Sequence, residues 1–234
     1  MFKEQDLKRF SVRPKPIRYL LGYLVLFLGS TLAKIVIKGS INIPQKGPFI
    51  VVCNHFNILD PPFVIYAIKK PINFLMASDQ TVENQFMWAP WLYGFIPTNR
   101  QNIAPSTIKH SIKALKRNEV VGIFPEGNAT KQYLRPAKNG AAYLAMTADV
   151  PILPVGLTGM DNIWDNWFRG IKPKLQINIG KSFVVGALPK DRIKRNEALK
   201  KTGDEIMFQI AVLVPDRYRG EFNEKPDVNN INTV

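Results

Sequence analysis

The stretch Val51-Val52-Cys53-Asn54-His55-Phe56-Asn57-Ile58-Leu59-Asp60-Pro61-Pro62 decides how the chain reads, because it delivers a histidine and a carboxylate from the end of a very apolar run. Pro48 to Cys53 has the marks of a buried β-strand: it is short, rich in β-branched residues and opened by Gly47-Pro48. Two prolines after Asp60 suit the first turn of a helix continuing through Phe63-Val64-Ile65-Tyr66-Ala67-Ile68. Strand, tight loop and helix start bring the His55 imidazole and the Asp60 carboxylate within reach of one another. An aspartate that accepts one ring N–H fixes the tautomer, leaving the other ring nitrogen to take a proton from a hydroxyl. Asp60 ahead of Pro-Pro also suits a helix N-cap, a role that needs no chemistry.

Downstream, the same pattern recurs. Ile72 to Ala77 reads as a strand, and the apolar segment around Gly94-Phe95-Ile96-Pro97 leads to Arg100, where a guanidinium suits a phosphate. A helix is expected from Pro105 to Arg117, with His110 near the surface and without a role. Val120 to Phe124 then forms a buried strand running into Pro125-Glu126-Gly127-Asn128. In open α/β sheets, ligands bind at the carboxyl ends of the strands. Three strand ends carrying His55, Arg100 and Glu126 form one crevice if their strands are neighbours. Val150 to Leu157 and Lys174 to Gly180 read as further strands, and Asp191 to Val214 as an amphipathic helix stopped by Pro215. The expected fold is a single α/β domain, its mixed, largely parallel sheet flanked by helices.

Composition narrows the setting. The chain of 234 residues carries a formal charge of +14, concentrated at its start: before Asp60 the only acids are Glu4 and Asp6. Nucleic acid, anionic lipid head groups and phosphorylated substrates are the partners such a charge suits. The uncharged run from Tyr19 to Ala33, resumed after Lys34 by Ile35-Val36-Ile37, favours lipid. No RNA-binding or zinc-finger pattern interleaves with the basic residues, which argues against nucleic acid. Crossing a bilayer takes about 20 apolar residues, more than this uncharged run supplies. A helix lying in the interface is therefore preferred to a single span. In it Arg13, Lys15 and Arg18 meet anionic head groups, and Tyr19 and Tyr23 sit near the boundary. A packed core helix remains the plain alternative, and no small-x-small cleavage site suggests a secretory leader. Residues 1–37 are thus taken as a membrane-associating segment, 38–220 as the catalytic domain and 221–234 as a fraying polar tail. Lys38 to Pro44 is expected as a short edge strand. Cys53, alone in its strand, reads as a small buried hydrophobe.

Taken in order, His55-x-x-x-x-Asp60, Gly94-x-x-x-x-x-Arg100, Phe124-Pro125-Glu126-Gly127 and Val150-Pro151-Ile152-Leu153-Pro154-Val155 resemble the four blocks of the glycerolipid acyltransferase family, which includes the 1-acylglycerol-3-phosphate acyltransferases. The resemblance covers residues 38 to 220, including Lys138-Asn139-Gly140-Ala141-Ala142. It implies transfer of a fatty acyl group from acyl-CoA or acyl carrier protein, a co-substrate rather than a bound cofactor, to a hydroxyl of a glycerol-based acceptor. The basic, apolar amino-terminal region and the lone cysteine set the expected location at the cytoplasmic face of a membrane. The resemblance also implies His55 as base and Asp60 as its partner, Arg100, Glu126 and Gly127 on the acceptor, and no metal. Backbone N–H groups near His55 or Gly127 are the candidates to stabilise the oxyanion. Two departures stand out. The family form continues Thr-Arg-Ser after Glu-Gly where this chain has Asn128-Ala129-Thr130, and the Ala-Lys pair after the second strand is Ala77-Ser78. Lys131, Arg135 and Lys138 are candidates to restore the missing charge, with Asn128 and Lys138 counted among the acceptor's contacts. The resemblance makes lysophosphatidic acid the leading acceptor, ahead of glycerol-3-phosphate, other lysophospholipids or an amino-acid lipid. A thioesterase and a non-catalytic lipid-binding module are the readings from other classes.

Overall fold

Along β2 (Phe49–Cys53) side chains alternate between two hydrophobic cores, as the two-residue period of a strand requires. Phe49, Val51 and Cys53 join one core, and Ile50 and Val52 the other. All five are buried, so the strand lies mid-sheet between helical layers, which explains its unbroken apolar sequence. The computed structural model describes residues 11–77, 92–98, 104–129 and 131–223.

Within these residues the elements run α1 (Lys15–Leu32), β1 (Lys34–Lys38), β2, α2 (Asp60–Ile68), β3 (Ile72–Ala77), β4 (Ile96–Thr98), α3 (Pro105–Lys116), β5 (Val120–Ile123), α4 (Asn139–Ala148), β6 (Ile152–Thr158), α5 (Ile163–Phe168), β7 (Lys174–Ile179) and α6 (Arg192–Ala211). The described strands form one seven-stranded sheet in the order β1-β7-β6-β2-β5-β3-β4. From β6 to β4 the strands are parallel, and β7 turns antiparallel to β6 before β1 pairs in parallel with it. The mixed, largely parallel sheet is the one expected from sequence. One core joins α2 and the start of α5 to the sheet, and the other joins α3, α4 and α6 to its opposite face. Gly122 in β5 lies under the Phe74 and Ile72 side chains, where an added Cβ would stand 2.5 Å from the Phe74 ring. Glycine is what permits that approach.

Several expectations are corrected. Ile35-Val36-Ile37 does not prolong α1. Ala33 turns extended and the segment becomes β1, paired with β7. The boundary expected at residue 37/38 therefore falls within a strand of the sheet, and the edge strand expected at Lys38–Pro44 is instead a 3-10 turn at Ser40–Asn42. Arg18 does not face outward. It is 2% exposed and donates to Asn73 Oδ1 at 3.2 Å and Glu119 Oε2 at 3.3 Å, tying α1 to the amino ends of β3 and β5. Phe222, placed at the start of the polar tail, is buried against Phe208, while residues 224–234 lie outside the described residues. Among the described residues no helix is long and apolar enough to cross a membrane.

Candidate active site

Parallel register brings the first and third sequence blocks together. Val52 of β2 lies opposite Ile123 of β5, so residues three further along each chain, His55 and Glu126, leave the sheet side by side. The His55 N–H donates to Glu126 Oε1 at 3.2 Å. Between them and the sheet, the wholly buried Asn54 donates to the Leu157 carbonyl at 2.7 Å and accepts from its N–H at 2.8 Å. The departure point of the chain from β2 is thus fastened to β6.

Asp60 closes the loop back on itself. Its Oδ2 lies 2.8 Å from His55 Nδ1 and accepts the N–H groups of Phe56 at 2.8 Å and Asn57 at 2.9 Å. The carboxylate therefore organises the His55 loop, and no side-chain bond caps α2. Burial pushes the Asp60 carboxyl up, opposed by the His55 ring and the two backbone donors. The His55 ring stacks on Phe124, with centroids 4.2 Å apart and planes at 23°. Its side chain remains 18% exposed while Asp60 is sealed. With Nδ1 committed to Asp60, Nε2 is the nitrogen left for exchange with a substrate proton.

Glu126 is also buried, and its second oxygen, Oε2, accepts from Arg135 Nε at 3.1 Å and Nη2 at 2.7 Å. Burial drives this carboxyl up to about 7, against the pull of Arg135 and the His55 N–H and with a further push from Asp60. Gly127 adopts φ 78°, a left-handed turn that glycine takes without steric cost, and its N–H closes on the Phe124 carbonyl at 3.0 Å. Asn128 turns both its side-chain oxygen and its carbonyl to the Arg135 guanidinium. Lys138 is exposed at the start of α4, and its N–H donates to the Pro125 carbonyl at 2.8 Å. Arg100 lies outside the described residues. The backbone N–H groups of His55, Phe56, Asn57 and Gly127, considered above for the oxyanion, are all engaged within the fold. Burial, then the Asp60 and Glu126 charges, push the Cys53 thiol well up, which leaves it a protonated core residue.

Sequence reading gave no role to the Asn54 or Phe124 side chain, and offered Arg135, with Lys131 and Lys138, as a candidate to restore the missing third-block charge rather than as a partner of Glu126. Their partners lie on other elements, so spacing alone carried no mark of them.

A family model described as Acyltransferase matches residues 34–158, the span that holds the His55, Asp60 and Glu126 cluster. The chain belongs to the acyltransferase family. It is 30% identical over 145 residues, 59% of its length and 68% of the other's, to a 1-acyl-sn-glycerol-3-phosphate acyltransferase of Bacillus subtilis. Over 214 residues, 89% of this chain and 77% of its relative, it is 26% identical to an enzyme of the same name from Streptococcus pneumoniae. Its fold resembles the crystal structure of the 1-acyl-sn-glycerophosphate (LPA) acyltransferase of Thermotoga maritima, with a TM-score of 0.54 and 21% identity over 85% of this chain and 86% of the other. In this acyltransferase the His55 ring and the Asp60 carboxyl lie within one hydrogen bond of each other, just beyond the carboxyl end of a central strand.

Proposed function

We propose that this enzyme is a 1-acylglycerol-3-phosphate O-acyltransferase, moving a fatty acyl group from acyl-CoA or acyl carrier protein to the free hydroxyl of lysophosphatidic acid with His55 as general base. The observation that carries the reading is the 2.8 Å contact of His55 Nδ1 with a buried carboxylate, beneath a ring that stays partly open. Its Nε2 takes the proton of the acceptor hydroxyl as the oxygen adds to the thioester carbonyl. When the tetrahedral adduct collapses, the C–S bond breaks and the imidazolium returns the proton to the departing thiol. Because a thioester is already activated, the protein needs no nucleophilic side chain, cofactor or metal. Positioning the two substrates contributes at most roughly 7–11 kcal/mol and the base about 10²- to 10⁴-fold. Relatives named for this activity support the acceptor assignment.

The setting proposed is the cytoplasmic face of a membrane, with α1 lying in the interface. Its inward side is fixed by Arg18 and by Gly29 against Tyr66, whereas Tyr19, Leu20, Tyr23, Leu24 and Phe27 are exposed. Exposed apolar side chains in such number on one helix suit lipid.

Incubation of the detergent-purified protein with acyl-CoA and a panel of lysolipids, read by mass spectrometry, tests the activity. Phosphatidic acid formed from lysophosphatidic acid, with matching CoA release, is the expected product. Free fatty acid without diacyl product would mean that water replaces the acceptor. Flotation with anionic liposomes tests the setting: replacing Leu20, Tyr23 and Phe27 with serine should abolish it, and undiminished flotation would defeat the interfacial reading.

A further inference from the structure

Arg135 belongs to no helix or strand, yet the chain on either side of it is pinned. Leu134 is wholly buried and its N–H donates to the Tyr218 carbonyl at 2.7 Å, while Lys138 closes on Pro125. From that segment the guanidinium reaches back across nine positions of sequence, placing Nε and Nη2 on Glu126 Oε2 and further N–H groups on both oxygens of Asn128. Glu126 Oε1 meanwhile receives the His55 N–H. We propose that Arg135 is a positioning residue of the acyl transfer: through Glu126 it fixes the backbone of His55, and through Asn128 it locks the Glu126-Gly127-Asn128 turn, in a chain whose third block has no arginine of its own. The inference rests on His55 being the base.

The geometry separates this role from direct capture of the acceptor's phosphate. A guanidinium whose donors already face a buried carboxylate and two amide oxygens is neutralised and oriented by the fold. Its loss therefore disturbs the placement of His55, not the affinity for the acceptor. Among the described residues the groups facing Glu126 are Arg135, the Asp60 carboxyl, the His55 N–H and the Cys53 thiol. Of these described groups only Arg135 carries a positive charge at all pH values, and its pull opposes the burial that raises Glu126. Without it the carboxyl protonates at higher pH and the acidic limb of the activity profile moves up.

The test compares wild type, R135Q, R135K, E126Q and E126Q/R135Q for kcat and KM with lysophosphatidic acid, across pH. R135Q should lower kcat about 10- to 100-fold with KM within about 3-fold, and should raise the acidic limb by about one pH unit. R135K, which keeps the charge but not the fork, should recover part of kcat. In the E126Q background R135Q should add less than about 3-fold, because interactions that run through one residue are not additive. A raised KM with unchanged kcat and pH limb would overturn the proposal in favour of direct acceptor binding. An equal loss in the E126Q background would overturn it in favour of a merely structural role. A second readout needs no turnover: the His55 backbone amide resonance should titrate with Glu126, and its midpoint should rise in R135Q and rise less in R135K. An unmoved midpoint sinks the inference even if the enzyme proves inactive on lysophosphatidic acid, an outcome that would by itself refute only the proposed function.

Discussion

Replacing Asp60 with asparagine asks how much of this site is one carboxylate. Oδ2 holds three partners at 2.8 to 2.9 Å in a side chain with no exposure. Hydrogen bonds to a charged group are worth about 1.5–3 kcal/mol and those to a neutral one about 0.5–1.5. An amide oxygen in the same place keeps the two backbone donors at reduced strength. Asp60→Asn should therefore destabilise by about 1–3 kcal/mol after the relief of burying a charge is set against the loss. Asp60→Ala leaves the buried Phe56 N–H and the half-buried Asn57 N–H without acceptors, at roughly 1–3 kcal/mol each with the second toward the low end, and should fall by about 2–5 kcal/mol. Activity should drop far more than stability in the asparagine variant. With no carboxylate on Nδ1, the ring is free to present the wrong tautomer, and a loss of roughly 10³- to 10⁴-fold follows by analogy with other oriented histidines. Urea unfolding followed by tryptophan fluorescence measures the first quantity, and CoA release the second. A folded Asp60→Asn enzyme within about 3-fold of wild type would show that the imidazole needs no partner, and the reasoning would fail.

Two further outcomes follow from the surroundings of the pair. Asn54→Ala removes both bonds between the start of the His55 loop and Leu157; it should cost about 2–4 kcal/mol in unfolding free energy, whereas an effect under about 0.5 kcal/mol would mean that the loop is held elsewhere. Glu126 is an acid whose folded-state value is raised from 4.5 to about 7. In this pH range the folded state thus binds more protons than the unfolded, so the contribution is full below about pH 4.5 and fades as pH rises through about 7. Between about pH 4 and pH 8, wild type should lose roughly 3 kcal/mol relative to Glu126→Gln, which cannot ionise; parallel stability curves for the two proteins would contradict the buried, ionisable carboxyl.

What the sequence made legible was whatever a single element encodes. The strand ending at Cys53 is buried on both faces, so its apolar run reads directly as a central strand. The spacing of His55 and Asp60 spans one short loop, which local geometry closes. Glu126 was placed beside His55 by the expectation of neighbouring parallel strands, and the register of β2 on β5 supplies that neighbourhood. What stayed hidden depends on partners far away in the chain. Arg18 looks like a head-group contact among basic neighbours until Glu119, 101 residues on, takes it inside. Ile35-Val36-Ile37 looks like more of the apolar helix because nothing local shows that β7 will pair with it. Phe222 sits in a polar tail by composition, yet α6 offers it Phe208. Arg135 is a loop charge by sequence and the brace of Glu126 by structure.

The most direct measurement is the rate of CoA release by His55→Ala against wild type, with acyl-CoA as donor and lysophosphatidic acid present or absent. The account predicts acceptor-dependent turnover in wild type and a fall of about 10²- to 10⁴-fold in the variant, with the fold intact by circular dichroism. Equal rates in the two proteins would contradict it.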